Sequence, residues 1–167
     1  MWTVEPLTKA HGRDKFDCGI PELDEFLKKY ARQSASLNIS RTYIATEPNQ
    51  NQVLGYYTLR AGEIECADLP PEESIRLPRY PIPVIHLARL AVHKKESGKG
   101  LGKFLLVDAL QRGFRAGRQI GAFAVEVIAK NKAAKRFYER YGFQKLGDDE
   151  FHLYLSMKTL KKLFGND

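Results

Sequence analysis

Apolar residues along the chain change their spacing several times, and each change marks an element. After Pro21, a residue suited to the first turn of a helix, Leu23, Phe26, Leu27, Tyr30 and Ala31 recur at helical spacing and predict an amphipathic helix. Thr42 to Thr46 and Val53 to Ile64 are rich in β-branched and aromatic residues. With Pro48-Asn-Gln-Asn-Gln52 between them as a turn, they predict a hairpin. Residues 66–83 carry five prolines and read as a loop with little regular structure. Val84 to Val92 reads as a buried strand and passes into a glycine-rich turn. A helix is expected from Gly100 or Leu101 to about Ala116, with Leu101, Phe104, Leu105 and Ala109 on one face. Leu106, Leu110 and Phe114 widen that stripe, as for a helix laid on a sheet. Gly121 to Ala129 predicts a second buried strand. Asn131 suits the cap of a helix running to Tyr141, and Gly142 its stop. Phe151 to Met157 alternates as a closing strand, and Lys158 onward reads as a short basic tail.

The pattern is mixed α/β (α+β), with strand, glycine turn, helix, strand and helix in succession at its centre. No repeat, low-complexity tract or long linker interrupts it. The 167 residues suffice for one domain and are too few for two ordinary ones, so residues 1–167 are expected to form a single domain. A composition 43% hydrophobic and 28% charged is that of a soluble globular chain. No apolar run approaches the ~20 residues of a membrane span. Met1-Trp-Thr-Val-Glu lacks the basic start and apolar stretch of a signal peptide, so a cytoplasmic location is expected. Cys18 and Cys66 stand 48 positions apart in no paired motif and are read as free thiols, a disulfide being the lesser alternative.

Charge is concentrated. The chain carries a formal +7, and between Lys94 and Arg140 twelve Lys/Arg stand against four acids, a net of +8. Such a face attracts polyanions, whether a nucleotide cofactor or RNA, or serves only to keep the surface solvated. Within it lies Ser97-Gly98-Lys99-Gly100-Leu101-Gly102, between a buried strand and a helix start. Glycines there let backbone approach a ligand, and N–H groups at a helix start favour phosphate. Lys94, Lys95, Lys99 and Lys103 add positive charge around the turn. Two familiar phosphate loops are eliminated. A dinucleotide fingerprint counted from Gly98 needs glycine where Lys103 stands, and a P-loop needs Ser or Thr where Phe104 follows Gly102-Lys103. A plain structural turn is the alternative. His11, His86, His93 and His152 have no metal-like spacing, and no Gly-x-Ser-x-Gly elbow occurs, so neither a metal site nor a hydrolase is expected.

The chain resembles the GNAT (GCN5-related) N-acetyltransferases at two motifs. The family's Gln/Arg-x-x-Gly-x-Gly/Ala signature falls on Ser97-Gly98-Lys99-Gly100-Leu101-Gly102, departing from it at Ser97. Asn131-Lys-Ala-Ala-Lys-Arg-Phe-Tyr-Glu-Arg-Tyr-Gly-Phe143 is similar to the family's N-x-x-A-x-x-F-Y-x-x-x-G-F segment. The resemblance implies a twisted, mostly antiparallel sheet of six to seven strands, splayed between the fourth and fifth and flanked by helices. It implies acetyl-CoA as co-substrate, its pyrophosphate held by the backbone of residues 97–102, with Asn131 and Ala134 as further cofactor contacts. Leu90, Ala91 and Val92 would pair with the pantetheine arm, and a backbone N–H such as that of Val92 would steady the oxyanion. Tyr138 would protonate the departing thiolate; without the motif it reads as a packing aromatic in Phe137-Tyr138. Glu63, Glu65 and Glu126 lie on expected strands as candidate bases, each with the alternative of a surface carboxylate. A base is not obligatory, since a free α-amine titrates near about pH 8 and lower when its carboxylate is esterified.

Phe16-Asp-Cys-Gly-Ile-Pro-Glu-Leu-Asp-Glu-Phe-Leu27, Arg41-Thr-Tyr-Ile-Ala45 and Pro81-Ile-Pro-Val-Ile-His-Leu-Ala-Arg-Leu-Ala-Val92 are similar to one branch, the GNAT toxins of bacterial type II toxin–antitoxin systems. That branch implies acetylation of the α-amino group of aminoacyl-tRNA, which blocks translation, and a ribbon-helix-helix antitoxin as partner. Arg89 is then a contact for tRNA or acceptor, with a structural salt bridge as the equal alternative. A GNAT enzyme acting on a protein or small amine is the second reading, because one fold serves many acceptors. A non-catalytic binding module is the third. Whether a homodimer forms stays open.

Overall fold

A computed structural model of the protein describes residues 1–165; the last two residues of the expected basic tail lie outside the described residues. Seven strands form one mixed sheet: β1 (Thr3–Pro6), β2 (Arg41–Thr46), β3 (Gly55–Ile64), β4 (Ile82–Val92), β5 (Ala124–Ile128), β6 (Gln144–Lys145) and β7 (His152–Ser156), in the order β1-β2-β3-β4-β5-β7-β6. The helices are α1 (Pro21–Glu25), α2 (Ala31–Ser36), α3 (Pro71–Ser74), α4 (Leu101–Ile120), α5 (Lys132–Arg140) and α6 (Met157–Phe164). Contacts divide the chain into two compact units, residues 1–60 with 88–109 and residues 61–87 with 110 onward.

In the first unit the expected hairpin forms, with Arg41 opposite Leu59 and Ala45 opposite Gly55. The helix expected after Pro21 runs as α1, a π-helical turn at Phe26–Tyr30, and α2. The wider turn is braced from outside: Arg13 Nη1 donates to the carbonyls of Leu27 at 3.0 Å and Lys28 at 3.3 Å. Phe16, Leu23, Phe26, Leu27, Ile44, Val53, Tyr56 and Ala91 form this unit's core. Tyr56 is fully enclosed, and its hydroxyl donates to the Leu23 carbonyl at 2.6 Å, which satisfies the one polar atom that burial would otherwise strand. Tyr30, read as part of the apolar face, is instead exposed. The antiparallel edge strand β1 has no apolar alternation to announce it and was not expected; it is aligned by pairing Thr3 with Thr46.

The second unit holds the parallel step of the sheet. Ile85, His86 and Leu87 of β4 pair with Val125, Glu126 and Val127 of β5, and β5 pairs antiparallel with β7. Ile64, Leu69, Ile82, Val84, Ala124, Leu146 and Tyr154 form the core here. Residues 66–83 are more ordered than a plain loop. They contain a 3-10 turn at Cys66–Asp68 and the short α3, opened by Pro71 at its first turn. The basic tail expected from Lys158 is instead largely helical. Ser156 caps α6 by accepting from the Thr159 N–H at 3.1 Å, Leu160 is fully buried, and Phe164 packs on Phe114 with centroids 6.3 Å apart. Spacing of Met157, Leu160 and Phe164 carries that apolar face. Both cysteines are free thiols. Among the described residues no helix is long and apolar enough to cross a membrane.

Candidate active site

The residues singled out above fall in both units. Arg89, Leu90, Ala91, Val92 and the loop Ser97–Gly102 belong to the first, and Asn131, Ala134 and Tyr138 to the second.

In the first unit β4 ends at Val92, and buried His93 starts a turn. Its Nδ1 accepts from the Lys95 N–H at 3.1 Å and its Nε2 lies 3.2 Å from the Lys15 carbonyl, which fits a neutral ring with its proton on Nε2. The chain then reverses through Gly98 (φ +79°) and Gly100 (φ +86°), conformations that side chains rarely adopt. No atom lies within 4 Å of where a Cβ would stand at either position. The reason for glycine here is therefore backbone conformation and an open approach, not crowding. Gly100 accepts from Phe104 N–H at 3.1 Å and so opens α4, whose first N–H groups have no partner within the helix. Ser97, Gly98, Lys99 and Gly100 are all exposed. Such a nest suits a phosphate or pyrophosphate.

The nearby lysines do less than their number suggests. Lys94 Nζ is 2.7 Å from Asp17, and Lys99 Nζ is 2.9 Å from Glu96. Each pair is internally neutral, and the Lys94 contact holds the Asp17 carboxyl below its ordinary range. Lys95 and Lys103 make no ion pair among the described residues. A cleft of about 430 Å³ adjoins the loop, lined by Lys15, Asp17, Gln52, Leu54 and His93 to Glu96.

Leu90 is half-buried and Ala91 lies in the core. Arg89 is half-buried with its guanidinium 3.5 Å from the centroid of the Phe26 ring. Burial lowers its pKa, opposed by Tyr56 and assisted by Arg60. It makes no salt bridge among the described residues, so the structural alternative for Arg89 fails. A guanidinium set over an aromatic ring, with no acid partner among the described residues, is a ready contact for an anion or a planar group.

In the second unit α5 begins where expected. Asn131 accepts from the Ala134 N–H at 2.8 Å. That bond occupies both the Asn131 carbonyl oxygen and the Ala134 N–H, leaving the Asn131 amide NH₂ and the Ala134 methyl for any ligand. Tyr138 is buried, with its ring edge-on to Phe137 at 5.3 Å and Phe143 at 5.4 Å. It is packed as an aromatic and is still available as an acid. Its hydroxyl has no hydrogen-bond partner among the described residues and is not among the sealed polar atoms. Burial raises its pKa, so the group is a phenol holding its proton at neutral pH.

Of the three candidate bases, Glu63 and Glu65 are exposed, and Glu126 is not the surface carboxylate its alternative reading described. It is buried on β5 between His86 of β4 and His152 of β7. The signal was present as an acid between Val125 and Val127 and a histidine between Ile85 and Leu87. Only strand register brings the two together. Among the described residues no group of three or more His, Cys, Asp or Glu has the geometry to hold a metal.

The family model for the acetyltransferase (GNAT) domain matches residues 38–145. A tRNA-acetylating toxin from Mycobacterium tuberculosis is 38% identical over 160 residues, 96% of this chain and 95% of that protein. A solved structure of AtaT complexed with acetyl-methionyl-tRNAfMet superimposes with a TM-score of 0.92 at 32% identity, covering 98% of this chain and 99% of that one. A tyrosine-to-phenylalanine mutant of the AtaT toxin, bound to the C-terminus of the antitoxin AtaR and acetyl-CoA, superimposes with a TM-score of 0.84 at 30% identity, covering 99% of both chains.

Proposed function

The chain belongs to the GNAT acetyltransferase family, and from that premise we propose that it is a toxin that transfers acetyl from acetyl-CoA to the α-amine of aminoacyl-tRNA, blocking translation. The observation that carries this reading is a 38% identity over nearly the whole chain to a protein that acetylates tRNA. An antitoxin of the ribbon-helix-helix kind is the partner, and the cytoplasm, where charged tRNA is found, is the location. Residues 1–167 act as a single acetyltransferase domain, supported by a family match that draws on both units.

The roles follow from the chemistry of each part. Ser97–Gly102 offers backbone N–H groups to the pyrophosphate, and its open glycines fit that group. Leu90, Ala91 and Val92 offer strand backbone to the amide-bearing pantetheine arm, and Asn131 and Ala134 add contacts from the start of α5. The acceptor amine bonds to the acetyl carbon while its carbonyl oxygen gathers charge, which a backbone N–H such as that of Val92 steadies. The carbon–sulfur bond then breaks, the sulfur takes the phenolic proton of Tyr138, and the proton released by the attacking nitrogen passes through solvent to restore the phenol. Arg89, which has no acid partner among the described residues, receives the anionic or planar end of the tRNA.

The test is transfer of labelled acetyl from acetyl-CoA to charged tRNA, beside deacylated tRNA and a Tyr138→Phe variant. Label on charged tRNA alone, lost in the variant, is expected. Label on protein or small amines but never on charged tRNA would overturn the toxin reading in favour of another GNAT acceptor.

A further inference from the structure

His93 joins two stretches of the first unit, the end of β4 at Val92 and the turn Lys94–Glu96 that leads into Ser97–Gly102. It is 9% exposed, whereas Ser97, Gly98, Lys99 and Gly100 are all open to solvent. A buried polar ring is costly unless its nitrogens find partners. Both nitrogens of His93 do, and both partners are backbone. Nδ1 accepts from the N–H of Lys95, two residues on, and so closes the turn as an Asn or Asp side chain would. Nε2 faces the Lys15 carbonyl, 78 positions upstream. An apolar ring would fill the same space. The histidine adds two bonds, one to each of two segments.

The upstream segment is itself fixed to the end of β4. Lys94 N–H donates to the Asp17 carbonyl at 2.9 Å, and Lys94 Nζ lies 2.7 Å from the Asp17 carboxylate. Phe16, fully buried, meets the His93 ring edge-on at 5.8 Å and the Tyr56 ring at 5.7 Å. From the other side His93 N–H donates to the Leu54 carbonyl at 2.8 Å. Lys15, Phe16 and Asp17 thus form a brace along the strand end. Downstream, each step of the turn holds the next. Glu96 N–H donates to the His93 carbonyl at 2.8 Å, Ser97 N–H to Lys94 at 3.3 Å and Lys99 N–H to Glu96 at 3.4 Å. With no side chain buried from Ser97 to Gly100, the loop takes its place from this turn and from α4. Lys15, Asp17 and His93 also line the cleft of about 430 Å³ beside the loop, so the brace stands next to space a ligand can enter.

We propose that His93 is a positioning residue for acetyl-CoA, its ring fastening the loop Ser97–Gly102 to the Lys15–Asp17 brace so that the loop is set for pyrophosphate before the ligand arrives. The inference rests on the acetyl-transfer reading above, but only on its donor half, and it holds for any acceptor. A loop already ordered loses less freedom on binding, and the gain appears as affinity.

Two partial mimics of the ring separate its two bonds. Asn at position 93 can accept from Lys95 N–H but is too short for the Lys15 carbonyl; Gln reaches Lys15 but not the turn. In calorimetry on the full chain, His93→Ala should weaken acetyl-CoA binding about tenfold, the scale of a lost hydrogen bond. His93→Asn should recover most of that loss and His93→Gln little of it. The KM for acetyl-CoA should follow the same order while the KM for charged tRNA stays near the parent's. Hydrogen exchange in the ligand-free protein reads the loop without any activity. Amides from Lys95 to Gly102 should exchange faster in His93→Ala and His93→Gln and at the parent rate in His93→Asn. Affinity in His93→Ala within about twofold of the parent would overturn the proposal, as would an Asn variant no better than Gln. Should His93→Ala not fold, the Asn and Gln variants decide. A lower Tm in every variant with parent-like loop exchange would also overturn it, leaving His93 as a residue of the fold alone. If the parent binds no acetyl-CoA, the acetyl-transfer reading falls and this proposal with it. Acetyl transfer to some other amine removes the tRNA reading and leaves this one standing.

Discussion

The glycine loop of the first unit and the surroundings of Tyr138 in the second would serve the proposed acetyl transfer by opposite means. The loop is exposed and works with backbone: two left-handed glycines and the first N–H groups of α4, while the adjacent Lys94 and Lys99 are neutralised by Asp17 and Glu96. Around Tyr138 the groups are side chains, buried, and adjusted by what encloses them; the phenol keeps its proton because its ring is dry. Binding a phosphate group asks for many weak donors in a fixed curve, and backbone supplies these whatever the neighbouring side chains. Moving a proton asks for one group in one protonation state, and that depends on its surroundings.

The contrast is broken most sharply at Tyr138. Tyr138→Phe should lower kcat by about 10²–10⁴ and leave acetyl-CoA affinity unchanged in calorimetry, since the ring packing survives and no hydrogen bond is lost. An equal loss of affinity would mean that the hydroxyl binds rather than donates. Gly100→Ala tests the other side. Holding an alanine in a left-handed conformation costs about 1–2 kcal/mol, so acetyl-CoA should bind about tenfold more weakly while kcat at saturation changes little. Gly100→Asn should recover much of the affinity. No change in either would mean that the loop bends freely and the glycines are not required.

Asn131→Ala should cost about 1 kcal/mol of stability through loss of the α5 cap, visible as a lower Tm, with Asn131→Asp close to the parent. Weaker acetyl-CoA binding at unchanged Tm would assign Asn131 to the ligand instead. The smallest effect concerns pH. Folding lowers the Glu126 pKa, so its contribution to stability is complete above the ordinary carboxylate range and is lost as pH falls through the folded value. Glu126→Gln should therefore flatten the acid side of a stability–pH curve measured by denaturant unfolding. An unchanged acid slope would show that the carboxylate gains nothing from its two histidines.

How far the sequence could be read depended on the range of each signal. The glycines at 98 and 100, the Asn131 cap and the start of α4 are local, involving residues within about one turn of each other, and each stands where expected. The family's acetyltransferase chemistry was legible for the same reason, as two short motifs. Where expectation and structure part, the cause lies in contacts distant along the chain. β1 is a strand because β2, 37 residues and more away, accepts it as a partner. Arg89 makes no salt bridge among the described residues and lies instead over the Phe26 ring, 63 positions upstream. Lys94 is neutralised by Asp17, far upstream.

The sequence by itself determined the central succession of strand, glycine turn, helix, strand and helix, and the caps and turns within it, because backbone propensity and motif spacing act over short stretches of chain. Only the tertiary structure decided which carboxylate is buried, which histidines touch it and which lysines find an acid partner among the described residues. Those states are set by solvent exclusion and by neighbours that strand register alone brings within reach.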